Sequence, residues 1–481
     1  MRAAIRAVVA LSVLIGAAGC GMSFAPLPPG SVAGRARDYD YSPSVIQTGN
    51  VLQLWWCGSD DNSTDRTQIS DAIEYESINL TTNARYGPVP VLSETQFAWD
   101  SNYTCNPKVI GGTFVNPLGN GKTYTYAMYY VGLGATGNNH IGAAFSNDGI
   151  SWTKYPQPVI SSASQGSYGV GQPALYNSDH KSGIWMFYED TNPIEHHVKT
   201  VSTDGVHFTP VAWLTTAGLV PDPPDPTWGD MAYDPTTNYW YAVYNLEDRD
   251  PATTGNVQER GPYGVALYRI PDASLFTGAT PWELLTFVDT SLTGYESNFL
   301  PGFRRDAYGN LNIGSYPTIE MYISISNPPP PWNATPVLAG IYGGFNYWDI
   351  STIAWTPGHP LKALNQYFNQ TSHEVTTGWI DPNGGFTLQS TLGHLYESPQ
   401  QGATVPFYNC KSGSTDYFDS LDFGCEGGRI LGTNGYGYSK PVSGLNLVPL
   451  YRCTTGPDDF VSKNSGCEGQ ASGRLLGYAL P

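Results

Sequence analysis

One phrase recurs along the first two thirds of the chain and constrains its fold more than any other feature. A polar residue, often followed by Pro, opens a short apolar strand; after a turn comes a strand rich in aromatics. Its copies are YSPSVI with VLQLWWCG, CNPKVI with YTYAMYYVG, GQPALY with IWMFYED, GDMAYD with YWYAVYN, and a weaker SNFLPGF with IEMYISI. Pro43, Pro107 and Pro173 lie 64 and then 66 residues apart, with Met231 in the equivalent slot of the fourth copy and Leu300 near it in the fifth. A unit of about 65 residues with four strands' worth of alternation is the size of one β-propeller blade. Residues 36–368 hold five such units. FSNDGISW and VSTDGVHF add Asp-Gly hairpin signals ahead of an outer strand. A β-sandwich would not repeat one phrase at near-constant spacing, so the fold expected is all-β, a five-bladed propeller.

A second repeat fills residues 369–481. TLGHLYESPQQGATVPFYNC matches TNGYGYSKPVSGLNLVPLYRC, and DYFDS…CEGGR matches DDFVS…CEGQASGR. With VTTGWI (Val375 to Ile380) as a partial earlier copy, the unit is roughly threefold, and either a β-trefoil-like or a solenoidal all-β module fits. Each full copy holds two cysteines, which pairs Cys410 with Cys425 and Cys453 with Cys467 and leaves Cys57 for Cys105.

The first nineteen residues have the three parts of an export signal: Arg2 and Arg6, the apolar run Ala7 to Ile15, and the small residues Gly16 to Gly19. Small residues ending in Cys20 resemble the bacterial lipobox, although Ala17 stands where Leu is commonest. The resemblance implies lipidation at Cys20 and a lipid-anchored protein of the cell envelope, facing outside the cytoplasm. Residues 20–35 then read as a Pro-rich tether. The alternative is an ordinary signal cut near Ala18, with Cys20 a bystander.

Only 13% of residues are charged and the net charge is −18. That excludes a nucleic-acid partner, whose phosphates need a basic face, and an anionic membrane surface; the only membrane contact expected is the lipid. A monomer is expected. No cysteine or histidine spacing suits zinc, and His196-His197 reads as a solvated loop dipeptide. Asp60-Asp61-Asn62 and Asp222…Asp225 offer oxygen ligands for a structural calcium, without a complete loop motif; no other cofactor is implied.

The combined phrases, a (D/N)PxVI strand, a WWCG- or YYVG-type strand and an SxDGxxW hairpin, resemble the five-bladed propeller glycoside hydrolases of families 43, 32, 62 and 68, with β-xylosidase-like proteins nearest. The C-terminal repeats resemble a domain of unknown function on secreted proteins. The first resemblance implies a carbohydrate partner and three carboxylates at the starts of the inner strands. Cleaving a glycosidic bond needs a proton donor for the leaving oxygen and a base or nucleophile for the anomeric carbon. Carried onto this chain, the slots before the repeated strand are Ser42, Asn106, Gln172, Asp230 and Asn298. Ser42 and Asn106 stand where the relatives have Asp. The acids assigned are Asp40 as base or nucleophile, Asp230 as orienting acid and Glu296 as proton donor, with Asp100 in reserve. Each also has a structural reading: Asp40 as a polar strand residue, Asp230 as a partner for backbone N–H groups, Glu296 as a solvated loop residue. Trp55, Trp99, Tyr168 and Trp228 are candidate sugar platforms, and Ser42, Asn106, Gln172, Asn298 and Arg304 candidate hydroxyl partners. A non-catalytic glycan-binding lipoprotein and a protein-interaction platform remain as alternatives.

Overall fold

The computed structural model describes residues 23–24, 40–59, 71–95, 99–134, 137–161, 168–192, 196–219, 228–247, 262–295, 297–311, 318–326, 348–355, 361–378, 380, 384–397, 399, 402–413, 416–456, 458–470 and 473–481. The structure is all-β apart from one helical turn, Thr290–Thr293, and three short 3-10 turns among the described residues.

Residues 40–355 form five consecutive antiparallel sheets. Their inner strands are Tyr41–Thr48, Tyr103–Val115, Val170–Asn177, Trp228–Asp234 and Ser297–Arg305. Each inner strand lies against the next, and the fifth returns to the first, pairing in parallel through Arg304 with Val45 and Arg305 with Ile46. The ring is therefore closed. The outer strand of the fifth sheet comes from the N-terminal side: Ser23–Phe24 pairs with Ile353 and Ala354. Part of the expected tether is thus a strand of the ring, which fastens the two ends of the propeller together.

Alternation along the second strands explains the aromatic phrases. Successive side chains leave a strand on opposite faces, and both faces of each sheet are covered here. Trp55 packs toward the second sheet with Ile73, Val109 and Met128, whereas Trp56 packs toward the fifth with Tyr322 and Ile350. Comparable clusters fill the gaps between sheets two and three around Tyr129 and Met186, and between four and five around Val243 and Ile323. The Asp-Gly signals are hairpin turns: Asp148 Oδ1 accepts the N–H groups of Ile150 and Ser151, and Asp204 Oδ1 those of Val206 and His207. His197 departs from expectation. It sits in the strand His196–Ser202, is buried, and meets Tyr244 edge-on at 5.6 Å.

The C-terminal module consists of three units of three strands each, and its first strand is Leu361–Phe368, inside the range read as propeller. The second strands of the units, His373–Thr376, Asp416–Ser420 and Asp458–Ser462, all touch one another. A solenoid would keep its first and third units apart, so the module is a closed threefold arrangement. Cys57–Cys105, Cys410–Cys425 and Cys453–Cys467 are bonded. The two bodies share a core: Phe287 of the fourth sheet stacks on Tyr436, Thr286 Oγ1 donates to Glu397, and buried Asp289 accepts the Thr433 N–H at 2.7 Å.

Candidate active site

Every inner strand breaks its ladder near its start, and the second breaks again between Gly111 and Phe114. The breaks near the starts fall between Tyr41 and Ser44, Cys105 and Lys108, Gly171 and Ala174, Trp228 and Asp230, and Phe299 and Gly302. In four of the five, the first skipped residue is left-handed: Ser42 (φ 55°), Asn106 (47°), Gln172 (49°) and Leu300 (37°), each followed by Pro. Left-handed backbone costs a non-glycine residue about 1–2 kcal/mol, and bulges of this kind re-aim side chains beside functional sites. One strained slot repeated around a ring is a feature of the whole ring.

These breaks give the slots a register that spacing alone misassigned. The fourth strand skips a single residue, Gly229, with no room beside it: a Cβ there would lie 2.6 Å from Pro301. Asp230 therefore stands at the level of Ser44, Lys108, Ala174 and Gly302, past the bulge. Leu300, not Asn298, holds the fifth slot.

The opposite end of the ring is crossed by the loop after the fifth inner strand. Ala307, Tyr308 and Gly309 offer their carbonyls to the N–H groups of Gly111, Asn177 and Tyr233, at the ends of the second, third and fourth inner strands. The bulged end is the face this loop leaves free.

At the bulged end, Asp40 precedes the first inner strand. It is almost fully buried, its N–H donates to the Trp348 carbonyl, and its Oδ1 accepts the Trp56 indole N–H at 2.6 Å. The first contact holds the backbone at the head of the strand and the second orients the carboxylate. The Ser42 N–H donates to Ser324 Oγ at 3.1 Å. The Cys57–Cys105 disulfide and the Tyr41 hydroxyl against Cys105 lock the first and second strand starts together. Gln172 reaches the half-exposed Tyr168 hydroxyl at 3.4 Å, and Asn298 donates to the Tyr295 carbonyl at 3.0 Å. Glu189, buried opposite Gly171 and His197 on the second strand of sheet three, is an acid the sequence reading missed. The motif IWMFYED carried it, but its place at the bulged end becomes visible only from the register. Glu296 and both candidate calcium loops lie outside the described residues, as does the Trp228 side chain. No cluster of metal-ligating side chains occurs among the described residues.

Several expected site residues have other partners. Asp230 is fully buried; it accepts the N–H groups of Met231 and Phe303 at 3.0 Å and faces Lys108 and Arg305, which is the backbone-satisfying role with two cations added. Asp100 is fully buried on the second sheet and accepts from Lys154 at 2.7 Å, Tyr130 at 3.1 Å and Thr95 at 2.5 Å. Trp99 stacks on Tyr130 with its indole N–H on the Pro156 carbonyl, and Trp55 donates to the Gly149 carbonyl from within the core. Arg304 sits at the far end of its strand, held by Gln47 and Glu320. Burial removes Asp230, Asp100, Trp99 and Trp55 from the bulged face, and Arg304 lies at the opposite end.

No protein-family model matches the chain, and no curated protein matches it. Several of the solved structures it is similar to are described as glycoside hydrolases. One belongs to the family-130 glycoside hydrolases that target β-1,2-mannosidic linkages in Candida mannan (13% identity, TM-score 0.41, spanning 66% of this chain and 85% of that one). Another is a family-117 glycoside hydrolase of Zobellia galactanivorans (12%, TM-score 0.43, 70% and 90%). A third is a thermostable family-43 glycoside hydrolase (12%, TM-score 0.41, 77% and 98%).

Proposed function

We propose that the chain is an exported, lipid-anchored glycoside hydrolase acting on poly- or oligosaccharides at the bulged end of the ring. The observation that carries this reading is the repeated strained slot. Ser42, Asn106 and Gln172 are held by the backbone at equivalent points of three strand starts, beside the buried carboxylates of Asp40 and Glu189. Two acids and a ring of amide and hydroxyl groups are what glycoside hydrolysis needs. Asp40 serves as base or nucleophile, since its Trp56 hydrogen bond fixes its orientation. Glu189 or Glu296 supplies the proton to the leaving oxygen. Cys20 carries the lipid, three residues ahead of the propeller strand Ser23–Phe24. On this reading the site works outside the cytoplasm, at the cell envelope.

The test is turnover of a panel of aryl glycosides and oligosaccharides by the chain beginning at Cys20, unlipidated. Asp40→Asn is expected to abolish turnover, and one of Glu189→Gln and Glu296→Gln to reduce it by at least about 10²-fold. Turnover unchanged in all three variants sinks the assignment. A second reading has its own support: Ser42 and Asn106 occupy slots where an acid is expected, and Asp230 is withdrawn into the core. On that reading the face binds glycans without cleaving them, and glycan-array binding by a chain that turns over nothing on the panel would establish it.

A further inference from the structure

Lys108, Asp230 and Arg305 form a group that the proposed hydrolysis does not use. They come from the second, fourth and fifth inner strands, and none is more than 1% exposed. Lys108 Nζ lies 3.7 Å from Asp230 Oδ2, and Arg305 Nη1 lies 3.4 Å from Oδ1. The first and third strands add only carbonyls: Pro43 accepts from Lys108 at 3.2 Å and Leu175 from Arg305 at 3.5 Å. All five inner strands thus meet at this level of the axis.

The donors here outnumber the acceptors. Asp230 already receives two backbone N–H groups besides the two cations. Arg305 Nε and Nη2 carry three further N–H groups, and these have no hydrogen-bond partner among the described residues. A guanidinium does not shed its proton, so it cannot escape burial by becoming neutral. Lys108 is pulled down to about 8, by burial first and by the neighbouring Arg305, and is still protonated at neutral pH. Two cations against one carboxylate leave one net positive charge in a desolvated place. Water can accept the N–H groups but cannot compensate that charge.

We propose that this level of the axis is an anion site, where a small monovalent anion of the halide class bridges Arg305 Nε and Nη2, with Lys108 supplying the second positive charge. One negative charge balances the group. It stands or falls independently of whether the chain hydrolyses glycans.

Two measurements on the intact chain decide it. In crystals soaked in sodium bromide, data at the bromine edge are expected to show an anomalous peak in contact with Arg305 Nε or Nη2. In solution at constant ionic strength, replacing gluconate by chloride is expected to raise Tm saturably, by about 3 °C at a hundredfold excess over Kd. Lys108→Met is expected to abolish that rise. A non-anomalous, water-like feature at Arg305 overturns the proposal. So does a bromide peak without any chloride effect on Tm, which would mark an adventitious ion only. An equal chloride effect in Lys108→Met overturns it too, as a general salt effect. If Lys108→Met does not fold, the bromide map and chloride titration of the unaltered chain decide the matter alone.

Discussion

Asp419→Asn should change how stability depends on pH, by an amount that follows from its surroundings. Asp419 lies on the second strand of the module's middle unit and is fully enclosed; its Oδ1 accepts from Asn434 Nδ2 at 2.8 Å. Burial pushes its carboxyl up to about 7, against the lowering pull of Asn434 and of Arg452, with Glu374 adding a like charge. Arg452 helps little because its guanidinium is already shared by Asp459 and Glu426. Between the ordinary value of 3.8 and about 7, the folded chain keeps a proton that the unfolded chain has released. Stability from this group is therefore lost as pH rises through that window, at about 1.4 kcal/mol per pH unit, and changes no further above it. From about pH 5 to about pH 8 the loss is about 3 kcal/mol. Asn keeps the oxygen that Asn434 needs and removes the titration. Its new Nδ2 costs about 1–3 kcal/mol if it finds no acceptor, but that cost is the same at every pH. Urea unfolding of both chains at the two pH values isolates the difference: the variant should gain about 3 kcal/mol relative to the unaltered chain between them. Parallel pH profiles would refute the argument.

Replacing both Cys57 and Cys105 by Ser frees a 48-residue loop and should cost about 4 kcal/mol on the chain-entropy account, read as a lower urea midpoint in the oxidised comparison. Gly302→Ala should destabilise the chain by about 1–3 kcal/mol, because a Cβ there would lie 2.1 Å from the Pro43 carbonyl oxygen, where the fifth strand closes on the first; an unchanged Tm would refute that tight closure. Asp100→Ala leaves the part-buried Lys154 with the Ser93 carbonyl alone and should cost about 3 kcal/mol, whereas Asp100→Leu combined with Lys154→Met should recover most of it. Equal losses in the single and double variants would show that the pair contributes by shape alone.

Much of the architecture was legible because it is periodic. The phrases at Pro43, Pro107 and Pro173 carry the inner strands, and the doublet Trp55-Trp56 signals a strand covered on both faces. The cysteine pairs followed from the second repeat. Where the chain breaks its own period, the reading slipped: the fourth strand replaces a two-residue bulge by Gly229, so Asp230 moved out of the slot that counting gave it. His197 and Asp100 look solvent-seeking in isolation, and both are buried. The strand Ser23–Phe24 has no local signal that would separate it from a tether, since its partner, Asp349–Trp355, lies more than 300 residues away.

The sequence by itself determined the kinds and order of elements: five aromatic-rich sheets, then three short disulfide-pinned units. Those properties rest on local patterning, which repeats make audible above the noise of any single copy. Only the tertiary structure decided which polar residues face the bulged end and which are taken inside. Asp40 and Glu189 stay at the bulged end, while Asp230, Lys108 and Arg305 are drawn together inside the ring. The physical reason is that a one-residue shift of register sends a side chain to the other face of its sheet. Such a shift is set by contacts between strands far apart in the chain, not by the residues on either side.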